Sequence, residues 1–143
     1  MFRIGVDMNQ FPTDKQLASW AGMCPGNNES AGKRKSGKTS KGSRYLRAAL
    51  VQAAWAASHQ KDSYLSAQYR RMVKRMGKKK ALVAVAHSIL VIIYHVLKER
   101  TEYKDMGGEY FERRNLEKQR RRLIKQLESL GLKVTVEEAA KAA

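Results

Sequence analysis

The sequence predicts an all-α protein: a small helical domain of four to five helices, with a mobile basic loop over about residues 25–43 and a long C-terminal helix. Three observations predict it. Apolar residues recur every three or four positions in several separate stretches. Both prolines lie in the first 25 residues, so only glycine interrupts helices further on. With 43% hydrophobic residues, a chain of 143 can fill one modest core.

The elements follow in order. Met1 to Gln10 is short and mixed and reads as the tail of something longer. Thr13 with Gln16 forms a capping box, opening a helix from Asp14 to about Met23 that turns Leu17, Ala18, Trp20 and Ala21 toward a partner. Pro25-Gly26-Asn27-Asn28 stops it. From Glu29 to Ser43 there is no apolar periodicity, only Gly, Ser, Lys and Arg with too little apolar content to offset chain entropy. Ser43 caps a helix to about His59, with Leu46, Ala49, Leu50, Ala53, Ala54 and Ala57 at helical spacing. Asp62 or Ser63 opens the next, to about Met76, and Gly77 ends it.

Residues 81–97, ALVAVAHSILVIIYHVL, read as a buried central helix around which the four or five helices pack. A membrane span is the competing assignment. At 1.5 Å per residue the run covers about 26 Å, short of a hydrocarbon core of about 30 Å, and it carries His87, Ser88 and His95. Tyr103 to Gly108 is a turn. A last helix runs from about Glu109 to Leu130, with Leu116, Leu123, Ile124, Leu127 and Leu130 on one stripe and Gly131 at its end. Residues 132–137 are a candidate extended segment, and the alanine-rich end is expected to fray.

Charge points to the partner. The formal net charge is +16, and between Ser30 and Lys98 sixteen Lys or Arg face a single acid, Asp62. So one-sided a field calls for a polyanion, nucleic acid first and an anionic membrane surface second. A single cysteine, Cys24, excludes an internal disulfide and a multi-cysteine zinc site. No basic-apolar-small leader pattern opens the chain.

Gly32 to Thr39 spells G-x-x-x-x-G-K-T, the letters of a nucleotide-binding P-loop. Its surroundings disagree. No apolar strand precedes the glycines, and Gly42 and the Ser43 cap stand where the P-loop helix must already be running. The residues fit a phosphate-backbone clamp instead. Lys33, Arg34, Lys35, Lys38, Lys41, Arg44 and Arg47 supply charge; Ser36 and Thr39, with Ser40, supply hydroxyl donors; Gly32, Gly37 and Gly42 admit close backbone approach. His59, His87 and His95 fall on predicted helices, so no Ser-His-Asp triad is supported.

LASWAGMCPGNNESAGKRKSGKTSKGSRYLRAAL, residues 17–50, resembles the C-terminal domain of the insertion-sequence transposases of the 110/116/902 group. RRMVKRMGKKKALVAVAHSILVIIYHVL and EYFERR extend the likeness from about Ile4 to Val136. The resemblance implies a transposase that also has an N-terminal RuvC-like domain, whose DEDD tetrad binds magnesium, and a helical spacer. It implies Ser30 as the nucleophile on the DNA backbone, and DNA as partner, with a structured guide RNA used by some members. It also implies action at the bacterial chromosome in the cytoplasm.

The expected organisation is a spacer remnant over 1–12, the serine-bearing domain over 13–108 and a C-terminal amphipathic helix and tail over 109–143. The RuvC-like part has no counterpart in the sequence, so no cofactor is expected in this chain. The chain is expected not to exchange strands alone, and its expected protein partner is either further copies in a homo-oligomer or a separate DEDD-domain chain. A non-catalytic basic nucleic-acid-binding protein is the alternative; it would need the basic loop but not Ser30.

Overall fold

The computed structural model describes residues 5–26 and 28–137, with the backbone alone at Arg34. Five helices carry it: α1 Asp14–Trp20, α2 Arg44–His59, α3 Tyr64–Met76, α4 Lys78–Glu99 and α5 Tyr110–Ser129. Two short strands, β1 Asn28–Ser30 and β2 Lys33–Ser36, sit between α1 and α2.

The helix starts follow their caps. Thr13, Ser43 and Ser63 each take an extended backbone, and each hydroxyl accepts the amide hydrogen bond of the residue three further on. Between Asp62 and Ser63 it is the serine that caps α3. The first helix stops at Trp20, three residues sooner than expected, because the backbone turns at Gly22 (φ 68°). Leu17, Ala18 and Ala21 are buried as expected, whereas Trp20 lies half outside and packs on Phe11 at 5.6 Å.

Helix α4 is the hub. Its buried face is Ala81, Val85, Ala86, Leu90 and Tyr94, and it touches α1, α2, α3 and the 3-10 turn Met8–Gln10. With 22 residues it is, by length and composition, able to cross a membrane. Its packing uses it otherwise, as the spine on which three helices lie. Tyr94 ties it to the N-terminal segment: the buried hydroxyl lies 2.9 Å from the Phe11 carbonyl and accepts from Lys98 Nζ at 2.6 Å. Lys98 Nζ also donates to the Pro12 carbonyl at 3.1 Å. Tyr94→Phe strips the Phe11 carbonyl of its partner. Urea titration should find the variant about 1–2 kcal/mol less stable; an unchanged midpoint would mean water takes over the bond.

Two expectations are corrected. The fifth helix does not pack around α4; among the described residues α5 touches only α3. Tyr64 stacks on Phe111 at 5.1 Å and meets Tyr110 edge-on at 5.2 Å, and beyond this joint α5 buries nothing. Burial pushes the Tyr64 hydroxyl's pKa up, helped by Tyr110 and opposed by Arg114. Burial raises that of Tyr103 as well, with Asp105 adding its charge and a hydrogen bond. The second correction concerns residues 28–36, which are paired strands rather than an unpaired loop. Residues 132–137 form no strand, and the expectation for the alanine-rich end falls on residues outside the described ones.

Candidate nucleic-acid interface

The stretch without apolar periodicity is a β-hairpin. Ser30 pairs with Lys33, and the two residues between them, Ala31 (φ 52°) and Gly32 (φ 73°), both have positive φ. That is the backbone of a type I′ turn, whose twist matches the strands it joins. Gly32 takes this conformation without strain; Ala31 does so at some cost. The pairing continues past the named strands through an isolated bridge between Pro25 and Thr39 and a 3.0 Å bond from Gly26 N–H to the Lys38 carbonyl. A register shift between Asn28 and Glu29 leaves one extra residue on the second strand and kinks the arm.

Backbone contact seats the arm on the helical body. A side chain on Gly42 would stand 2.2 Å from the Ala21 carbonyl, and one on Gly22 would stand 2.5 Å from Gly42 N. One on Gly26 would meet the Lys38 carbonyl at 2.5 Å. Gly42 thus lets two chain segments touch. On the other side Arg47 Nη1 donates to Thr39 Oγ1 at 2.8 Å, fastening the arm to the first turns of α2.

The candidate residues then fall into place. Ser30 ends β1 at the tip and is exposed. Its cross-strand partner Lys33 is exposed too; directly paired residues project from the same face with Cβ atoms about 4.5–5.5 Å apart. Glu29 precedes Ser30 and so projects from the opposite face. Arg34 lies in β2, paired with Glu29 through the backbone. Lys35, Lys38, Lys41 and Arg44 are exposed along the arm and the start of α2, and Arg47 is half-buried. Ser36 and Thr39 are partly committed: Ser36 Oγ accepts from Lys38 N–H at 3.1 Å, and Thr39 accepts from Arg47. The fold therefore groups Ser30 with Lys33 at the tip, and Thr39 with Arg47 at the base.

Tyr45 is a residue the sequence reading passed over. It is 83% exposed at the start of α2, flanked by Arg44 and near Arg47. Its signal was its place off the Leu46–Leu50 stripe. The histidines stand apart from the arm: His59 lies in the last turn of α2, where its Nδ1 is 2.8 Å from the Trp55 carbonyl, and His95 pairs with Glu99 on α4. Among the described residues no three His, Cys, Asp or Glu gather where they could hold a metal ion. The strand-turn-strand geometry also removes the P-loop assignment, since the glycines of the G-x-x-x-x-G-K-T letters lie in and after a hairpin, with no helix at Lys38-Thr39.

Residues 1–70 match the family model described as the transposase IS116/IS110/IS902 family. No match was found among curated proteins or among solved structures. The family match covers α1, the hairpin, α2 and the first half of α3; the likeness noted in the sequence beyond it, through α4 and α5, lies outside the match. Over its first 70 residues, which hold the cationic arm and its seat, this chain is similar to the IS116/IS110/IS902 transposase family.

Proposed function

We propose that this chain is a DNA-binding part of a transposase whose hairpin arm grips the phosphate backbone and presents Ser30 to a phosphodiester. The single observation that carries the proposal is the position of Ser30 at the exposed tip of the arm, on the same face as Lys33. A serine hydroxyl is a weak nucleophile, so the cationic setting has to favour its reaction. Lys33 and Lys35 offset the negative charge that builds on the phosphoryl oxygens. Tyr45 offers a free ring face for stacking on an unpaired base.

The bond changes balance as follows. The Ser30 oxygen forms a bond to phosphorus as the phosphorus–oxygen bond to one strand end breaks. That end leaves as a DNA hydroxyl and takes up a proton in place of the one serine loses. A hydroxyl from another strand then attacks the phosphoserine, and the serine oxygen leaves with a proton restored. Strands are exchanged with no net hydrolysis. The described residues do not fit magnesium, and no step here is routed through it; acidic metal-binding groups would come from outside them. The setting is the bacterial cytoplasm, at the chromosome. A guide RNA and assembly with other copies or with a DEDD-domain chain belong to the same proposal.

Grip is tested by salt. About six phosphate contacts on duplex DNA give a slope of log K against log salt near −5. Converting Lys33, Lys35 and Lys38 to Gln should flatten that slope by about 2.7, since each lost contact removes about 0.9. Fluorescence anisotropy with a labelled duplex at several salt concentrations reads it. An unaltered slope places the grip elsewhere and removes the arm from the proposal.

A further inference from the structure

We infer that the corner between α3 and α4 is a second nucleic-acid backbone site, separate from the hairpin arm. Seven of the eleven residues from Arg70 to Lys80 are cationic: Arg70, Arg71, Lys74, Arg75, Lys78, Lys79 and Lys80. All seven are exposed. From Ser63 to Lys98 there is no carboxylate, and the described ion pairs include none of the seven.

Helical periodicity puts Arg70, Arg71, Lys74 and Arg75 on one side of α3, opposite the side that carries Leu65, Tyr69, Met72 and Val73. The chain then reverses at Gly77, and the first turn of α4 adds three lysines to the same corner.

Two features distinguish this corner from a solvated charged surface. The first is preorganisation. Arg70 Nη2 donates to the buried Ser66 hydroxyl at 3.1 Å, and the Arg71 guanidinium sits 5.2 Å from the centre of the Phe111 ring. Both partners are neutral, so they hold the arginines in place without cancelling their charge. Ordering them in advance lowers the entropic cost of engaging a ligand. The second is electrostatic cost. Lys78, Lys79 and Lys80 crowd the positive end of a helix with no acid in its first turn, where cations are unfavourable. Together with their neighbours they raise a field that only an external polyanion relieves.

The occupant is a nucleic-acid backbone, by charge complementarity over two helices and by the cationic cluster's length. The inference rests on the chain being a nucleic-acid-acting protein, but not on the hairpin being the grip. With the arm occupied by one segment, the corner is free to hold another.

The test separates the two surfaces. Three variants of the full chain are compared with the parent: one with Lys33, Lys35 and Lys38 converted to Gln, one with Lys78, Lys79 and Lys80 converted to Gln, and one with all six changes. Glutamine keeps helix propensity, and circular dichroism checks the helix content. Binding of a fluorescein-labelled duplex DNA is followed by anisotropy across a salt series. The arm-neutralised protein should still bind, and adding the corner changes should flatten its salt slope by about 2.7 and weaken low-salt binding at least tenfold. If arm neutralisation changes nothing while the corner changes have this effect, the arm proposal fails and the corner stands. If the corner changes leave slope and affinity as they were, the inference is overturned. It is equally overturned if they spare duplex binding and abolish only binding to phosphatidylserine vesicles. For a corner triple variant that loses helix content, the single changes Lys74→Gln and Arg75→Gln, in the last turn of α3 rather than the first turn of α4, replace it; each should flatten the slope by about 0.9, and no change in either overturns the inference.

Discussion

Ser30→Ala should abolish strand exchange while leaving DNA affinity within about twofold, because one neutral hydroxyl adds little to a grip made by cations. Removing the nucleophile from a covalent mechanism costs on the order of 10⁴-fold or more in rate. Ser36 and Thr39 are poor substitutes, since their hydroxyls already accept hydrogen bonds within the arm and its base. The measurement is excision of a marked element in cells that supply the acidic RuvC-like component, with denaturing gels to trap a protein–DNA adduct. An adduct in the parent and none in Ser30→Ala is the expected pair. Undiminished exchange by Ser30→Ala would reduce the arm to a binding element and favour a non-catalytic nucleic-acid-binding role. Exchange by the purified chain alone in magnesium would show that no outside acidic groups are needed.

The second large effect concerns a residue with no chemistry. Gly42→Ala should destabilise the protein by about 3 kcal/mol or more, because the new methyl would have to displace backbone rather than a flexible side chain. The nearest atoms are the carbonyl carbon and oxygen of Ala21, both at 2.2 Å. A chain of this length should then melt about 10 °C lower. Gly32→Ala provides the contrast. No atom stands near its Cβ position, so its cost is limited to a methyl at positive φ, about 1 kcal/mol. Calorimetry on the two variants checks the ranking, and an equal loss in both would mean that the arm's seat contributes no more than its turn. If Gly42→Ala frees the arm without unfolding the body, low-salt DNA binding should survive while exchange falls, since the grip depends on charge and the chemistry on placement.

Much of the helical framework was legible in the residues. Thr13 and Ser43 announced their helices because a capping hydroxyl is a local device, needing only an amide three positions away. The 81–97 run declared itself as a hub by being apolar on nearly every side. The hairpin was not legible, for a physical reason. Both of its faces meet water, so its side chains carry no apolar alternation, and ladder hydrogen bonds are made by backbone that any residue possesses. Its one local signal, Ala31-Gly32, is weaker than the Asn-Gly pair that marks such turns. The free flight of α5 was equally hidden. Its leucine stripe promises burial, yet only Tyr110 and Phe111 find a partner in Tyr64, and Leu130 remains 76% exposed.

The amino acids alone determined that the protein is helical, that it is intensely cationic and that its G-x-x-x-x-G-K-T letters lack the surroundings of a nucleotide-binding P-loop. Each of these follows from short-range pattern or from summed charge, which survive without knowledge of the fold. Only the tertiary structure decided which hydroxyl stands at the tip beside Lys33, which glycines join backbone to backbone, and that Arg70 and Arg71 are held by neutral partners. Those facts depend on contacts between distant segments, such as Ala21 with Gly42 and Arg71 with Phe111, and no local pattern encodes a distance across the fold.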